Sequence, residues 1–206
     1  MRPFTALTAV AAPIDLPKVD TGMIISARYT RRRRFPGSDD YAPFFLHDLR
    51  FDADGRERAD FVLNRAEFRN APILVTGVDF GCGSSREAAA YALLDYGVRA
   101  LVGPSFGEIF QENCALNGIV TVTLGQSIVR ELTARLYEQP GASMTVDLQK
   151  QHVVAPGGAT HRFEIDAGRR ERLLRGLDPV DATLERLAEI EAFERGYAQD
   201  RPWAAR

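Results

Sequence analysis

Two strand–turn–helix units follow one another in the middle of this chain, and they leave little choice of fold. Ile73-Leu74-Val75-Thr76-Gly77-Val78 reads as a buried central strand, and the turn Gly81-Cys82-Gly83-Ser84-Ser85-Arg86-Glu87 comes directly after it. Residues 86–96 then space Ala89, Ala92, Leu93 and Tyr96 as one helical stripe, ended by Gly97. Arg99-Ala100-Leu101-Val102-Gly103 is a second buried strand, and residues 106–116 form a second helix opened by Ser105. After the stop Asn117-Gly118, Ile119-Val120-Thr121-Val122 is a further strand. Successive βα units predict an α/β core of parallel strands with right-handed crossovers.

Outside those units the signals are shorter. The pair Ile24-Ile25, after the polar turn Asp20-Thr21-Gly22, predicts a short strand, and Phe44-Phe45-Leu46-His47-Asp48-Leu49-Arg50-Phe51 predicts another. Asn64 to Asn70 reads as a short helix, and Ser127 to Glu138 as an amphipathic helix broken by Pro140-Gly141. Three strands of a β-meander follow, at residues 144–148, 151–154 and 161–165, joined by Gly/Pro turns. Asp178 as N-cap with Pro179 at the first helical position opens a C-terminal helical tail. Its Leu184, Leu187, Ile190 and Phe193 make an apolar stripe for a domain surface or a partner. There is no internal repeat. The expected organisation is one domain over residues 1–206, with a core from about residue 15 to 165 and the tail from about 168 to 200.

With 206 residues, 45% of them hydrophobic, the chain can bury one good core. A net charge of −2 exerts no global pull toward nucleic acid or anionic membrane. No apolar run reaches the roughly 20 residues of a membrane span, and threonines interrupt the N-terminal apolar patch where a signal peptide would need an unbroken one. Two cysteines, Cys82 and Cys114, are too few for the thiolate set of an iron–sulfur or structural zinc site. The histidines, His47, His152 and His161, lack ligand spacing. The expectation is a cytoplasmic chain that binds no metal.

The turn at residues 81–87 is the chemical centre. A helix N-terminus exposes unpaired N–H groups and the positive end of the macrodipole, so an anion sits there readily, and Arg86 adds a planar fork matched to a carboxylate. An organic-acid site is the functional reading. The structural reading is that Ser84-Ser85-Arg86-Glu87 is a capping box, with Ser105-x-x-Glu108 a second one. Other motifs fail: there is no Gly-Lys-Ser/Thr, Arg86 replaces the third glycine of a dinucleotide fingerprint, and the order of residues is not that of a nucleophile elbow. Arg31-Arg32-Arg33-Arg34, ahead of Phe35-Pro36-Gly37-Ser38-Asp39-Asp40, is a charged loop. It is a phosphate patch, a carrier of guanidiniums to an acidic substrate, or a solvated loop. Asp39 and Asp40 offset its charge and no aromatic interleaving follows, which weighs against nucleic acid.

Several segments in order resemble one family. They are Asp20-Thr21-x-x-Ile24-Ile25-x-Ala27-Arg28 and Phe80-Gly81-Cys82-Gly83-Ser84-Ser85-Arg86-Glu87, then Pro104-Ser105-Phe106-x-x-Ile109-Phe110-x-x-Asn113-Cys114-x-x-Asn117-Gly118. Gly176-Leu177-Asp178-Pro179 and Ile190-Glu191-Ala192-Phe193-Glu194 continue the match. Together they are similar to the small subunit of 3-isopropylmalate dehydratase, the swivel-domain member of the aconitase superfamily.

The resemblance implies an α/β swivelling domain of β/β/α layers, with a mixed, largely parallel core sheet and a helical tail. It also implies a large-subunit partner holding a [4Fe-4S] cluster, and a hydro-lyase reaction on a small hydroxy-diacid in leucine biosynthesis. By the family pattern Ser84 is the base. Gly83, Ser85 and Arg86 would belong to the substrate-binding set, as would Asp20 and Thr21, with Arg33 and Arg34 from the loop. A serine alkoxide is accessible only where N–H groups and a guanidinium stabilise it, and the turn supplies both. Two departures bear on the substrate: Gly22 stands where the family usually has Asp, and Ala88 where it usually has His. A paralogous hydratase for a citraconate- or methylmalate-type acid is the alternative, and a non-catalytic module binding RNA or a regulator is the rival from another class.

Overall fold

In the computed structural model, described over residues 1–31, 34–35 and 40–204, the N-terminal segment forms the longest strand, β1 (Ala6–Ile14). Its two halves do different work. Residues Ala6 to Val10 pair antiparallel with β5 (Ser143–Asp147), whereas Ala11 to Ile14 pair parallel with β2 (Ile73–Thr76). The burial pattern changes at the same point, from partly exposed to fully buried, as expected when a strand passes from a one-sided sheet into one covered on both faces. Alanine and threonine make most of β1, and alanine is a poor strand former. That composition hides the strand from periodicity.

Seven strands take the order β4-β3-β2-β1-β5-β6-β7. On one side of β1 the strands are parallel: β2, then β3 (Ala100–Gly103) and β4 (Val120–Thr123). On the other side β5, β6 (His152–Val154) and β7 (Thr160–Arg162) form the expected antiparallel meander. The parallel half is sandwiched. Ala12, Ile14, Leu74 and Leu101 face a core closed by α1 (Thr21–Ile24), α2 (His47–Arg50), α3 (Ala88–Tyr96) and α4 (Glu108–Leu116). Ala11, Ile73, Val75 and Val102 face a second core with Val129, Leu132 and Leu136 of α5 (Gln126–Glu138). Leu173 of α6 (Ala167–Arg175) closes that second core. Side chains alternate between cores because successive residues of a strand point to opposite faces.

The structure corrects several local expectations. Ile24 and Ile25 lie at the end of a helical turn, because Asp20 caps α1 through the Gly22 and Met23 N–H groups. The run at residues 44–51 is not a strand either. It is a 3-10 turn at Ala42–Phe44 followed by α2, and it buries Phe45 and Leu46 fully. Short apolar runs cannot by themselves distinguish the two periodicities. The segment 64–70 is not a helix: Asn64 ends a 3-10 stretch at Val62–Asn64, and residues 66–70 carry turns. Helices α3 and α4 each begin about two residues later than their hydroxyl-rich openings suggest. At α4 the expected capping box is absent: the Ser105 hydroxyl donates to Asp79 Oδ1 at 2.7 Å and accepts the Asp79 N–H at 2.9 Å, lacing two loops together.

Among the described residues the tail has three helices. Glu112 of α4 accepts from Arg169 and Arg172 of α6, and the Met1 ammonium donates to the Gly176 carbonyl at 2.9 Å. Asp178 and Asp181 form a true capping box at α7 (Pro179–Leu184), and α8 (Leu187–Asp200) follows; neither helix buries a residue. No helix among the described residues is long and apolar enough to cross a membrane.

Ala12 is fully buried where β1 runs between the cores. Ala12→Leu is expected to destabilise the fold by about 1–3 kcal/mol through overpacking, read as a lowered urea midpoint with an unchanged m-value.

Candidate active site

Strands β1 and β2 end at Ile14 and Thr76, but their chains stay paired beyond the sheet. The Lys18 N–H donates to the Val78 carbonyl and the Gly81 N–H to the Val19 carbonyl, both at 2.7 Å. The Thr21 N–H donates to the Cys82 carbonyl at 3.0 Å, and Asp20 and Cys82 form an isolated parallel bridge. This places Asp20-Thr21 against Cys82-Gly83-Ser84 off the C-terminal edge of the parallel strands, where open α/β sheets bind ligands.

The turn is tightly specified. Gly81 has φ +75°, and a Cβ there would lie 2.2 Å from the Phe110 ring, so only glycine lets α4 approach. Gly83 has φ +94° and sits on the surface beside Asp20. From Gly83 to Glu87 every residue is exposed.

Ser84 does not cap α3. The N-cap residue is Glu87, with no side-chain cap, and the Ser84 Oγ lies 2.8 Å from Thr21 Oγ1 instead. Thr21 also donates a longer bond, 3.4 Å, to the Ser84 carbonyl. A competing partner on another element therefore overrides the local capping signal. Glu87 accepts from Asn117 Nδ2 at 3.2 Å, and also hydrogen-bonds Tyr91, whose hydroxyl pKa is raised by burial and by that bond. Asn113 donates to the Ser85 carbonyl at 3.4 Å. Asn113 and Asn117 escape a reading of side chains by type, although their spacing of four sets them on one face of α4.

Three features make the turn receptive to an anion. The N–H groups of Ser84, Ser85 and Arg86 have no partner among the described residues. Nor has the Ser85 hydroxyl, and Arg86 has no ion pair among those residues. The position a Cβ would take on Gly22 is 3.3 Å from Arg86 Nη1, so the missing side chain at residue 22 leaves the guanidinium open on that side. Asp20 is occupied with its cap.

The structure thus brings together Asp20, Thr21, Gly83, Ser84, Ser85 and Arg86. It takes Arg34 elsewhere. That guanidinium forms a bidentate pair with Asp95, at 2.7 Å and 3.0 Å, and stacks over Tyr91. Asp95 is 1% exposed, also accepts the Tyr41 N–H, and holds Arg34 in its charged form. Asp95 lies roughly 10 Å along α3 from Ala88. Arg33 lies outside the described residues. Cys114 is fully buried, which pushes its thiol pKa far up, and Cys82 is half-buried. Among the described residues no group of three or more His, Cys, Asp or Glu could hold a metal ion, so this chain's own side chains do not fit an iron–sulfur cluster there.

Comparison with known proteins follows the same lines. The family model described as Aconitase C-terminal domain matches residues 47–127, and LeuD_N matches residues 130–167. The 3-isopropylmalate dehydratase small subunit of Rhodospirillum centenum is 45% identical over 204 residues, covering 99% of both chains. That of Dinoroseobacter shibae is 43% identical, covering 98% of this chain and 100% of the relative. The crystal structure of 3-isopropylmalate dehydratase (LeuD) from Methanocaldococcus jannaschii superposes with a TM-score of 0.64 at 22% identity. It covers 92% of this chain and 99% of its own, a likeness of fold.

Gly81→Ala is expected to destabilise the fold by at least about 2 kcal/mol, since left-handed strain and a ring clash coincide. Urea unfolding of the variant checks it.

Proposed function

The chain belongs to the family of 3-isopropylmalate dehydratase small subunits, and on that footing we propose that it carries the base of a hydro-lyase interconverting 2- and 3-isopropylmalate in leucine biosynthesis. The observation that supports this most is an exposed hydroxyl, Ser84, set among unpaired N–H groups and an open guanidinium and touching a second hydroxyl. An anionic, proton-yielding substrate suits such a place. A structural turn does not need it.

The chemistry follows from charge. Ser84 Oγ, as the alkoxide left after its own proton has gone to solvent, takes the proton from the carbon beside a substrate carboxylate; the C–H bond breaks and an O–H bond forms. The freed electron pair becomes the double bond as hydroxide leaves the neighbouring carbon. During this step the adjoining carboxylate gains negative charge. Arg86, the Ser85 hydroxyl and the free N–H groups are placed to hold it, and donors aimed where charge develops commonly contribute a few kcal/mol each. Departing hydroxide needs a Lewis acid, which a [4Fe-4S] cluster on a large subunit would supply. Because residues 83–87 are exposed, a docked large subunit can reach them.

Ser84→Ala, in the complex reconstituted with the large subunit, is expected to lower isopropylmalate turnover by about 10³-fold or more, with co-purification and circular dichroism unchanged. Turnover within tenfold of the parent enzyme would remove Ser84 from its role. Isopropylmalate should also be turned over faster than citraconate or methylmalate by the same complex.

A further inference from the structure

We propose that Thr21 is a positioning residue for Ser84, its buried hydroxyl holding and stabilising the Ser84 oxygen once that oxygen has lost its proton. This rests on the assignment of Ser84 as the base, and gives Thr21 a role other than touching substrate.

Thr21 is 1% exposed, whereas Ser84 lies on the surface. A buried hydroxyl needs a partner. Among the described residues the Thr21 hydroxyl has only Ser84, through Oγ at 2.8 Å and the carbonyl at 3.4 Å. The fold does not ask for this hydroxyl. Asp20 already caps α1, and the Thr21 backbone is held by the Cys82 carbonyl and the Ile25 N–H. Valine would fill the same space. An exposed serine, for its part, can bond to water. A buried threonine hydroxyl reaching outward to a surface serine therefore serves the serine's chemistry.

Proton counting gives the mechanism. A hydroxyl has one hydrogen to donate and two lone pairs. While Ser84 is neutral, its O–H donates to Thr21 Oγ1 and the Thr21 hydrogen points to the Ser84 carbonyl. With substrate bound, Ser84 releases its proton to solvent, and an alkoxide can only accept. The Thr21 hydrogen then turns onto Ser84 Oγ across the same 2.8 Å, now as a charge-assisted bond. When Ser84 captures the substrate's carbon-bound proton, the hydrogens swing back. No heavy atom moves, and the donor is fixed in advance by the Thr21–Cys82 backbone bond.

The test uses the reconstituted complex. Thr21→Val is expected to lower kcat about 10- to 100-fold while KM stays within about threefold. Removing a donor to the charged form raises the serine pKa, so the rising limb of the kcat–pH profile should move to higher pH by about one unit or more. Thr21→Ser should restore kcat to within about threefold, whereas Thr21→Ala should match Thr21→Val. The Ser/Ala pair differs by one hydroxyl, and carries the comparison if valine disturbs assembly. Independently of turnover, the thiol of Ser84→Cys, titrated by iodoacetamide in the complex and located by peptide mass spectrometry, should show a higher pKa when Thr21→Ala is added. Parent-like kcat and pH limb in Thr21→Val, or an unmoved thiol titration, would overturn the role of Thr21. If Ser84→Ala is inactive at the same time, the base assignment stands without it; if Ser84→Ala is active, both fall together.

Discussion

The pairing of the β1 and β2 chains beyond the ends of their strands is the constraint on which the rest turns. Three backbone bonds, Lys18 to Val78, Gly81 to Val19 and Thr21 to Cys82, carry two connections side by side off the sheet. Each connection then turns into a helix, α1 on one side and α3 on the other. Without this lacing, Asp20-Thr21 and Ser84-Ser85-Arg86 would be ends of two independent loops. With it, a hydroxyl from one element meets a hydroxyl from the other at 2.8 Å. Gly81 is the point of least tolerance, because the backbone passes against the Phe110 ring that anchors α4.

The two guanidiniums near α3 have opposite fates, and the difference is informative. Arg34 is folded in: Asp95 at the C-terminal end of the helix neutralises it, and the Tyr91 ring lies beneath it. Such a pair fixes where Arg34 and Tyr41 sit against α3 more than it adds to stability, since desolvation offsets most of the attraction. Arg86, at the N-terminal end, forms no ion pair with a carboxylate among the described residues, and Gly22 offers none. An unpaired guanidinium at a helix N-terminus concentrates positive potential at one end.

How much of this was legible in the residues depended on whether the signal was local. Ile73 to Thr76 and Ala100 to Gly103 read as strands because apolar runs bounded by turns are what buried parallel strands require, and the helix stop at Gly97 was equally plain. Strand β1 did not show, because its burial comes from neighbours on both sides and its alanines carry no periodic signal. Ile24-Ile25 and residues 44–51 looked like strands because apolar side chains pack equally well from turns. At the site, the cluster of Gly83 to Arg86 was evident from residue types, but the two capping boxes were not realised. In both cases the serine found a partner on another loop, Thr21 for Ser84 and Asp79 for Ser105. Arg34 and Asp95 are 61 residues apart in sequence, and no pattern within either segment pairs them.

That Ser84 is exposed has a further consequence for where the chemistry can run. In open water a hydroxyl, a guanidinium and a few N–H groups stabilise an alkoxide weakly, because the solvent dielectric divides every charge interaction. The same groups act far more strongly once water is displaced. On the proposed role of Ser84, the isolated chain would hold the parts of a base without the medium that makes it one, and closure of a large subunit over residues 83–87 would change the medium, leaving the geometry as it is. In that setting a donor that is already dry matters most. Thr21 reaches Ser84 from inside the fold, so its bond needs no desolvation when the surface is covered, whereas Arg86 must shed water to act. In the proposed reaction the buried side of the serine is ready before the partner arrives, and the exposed side would be completed by it.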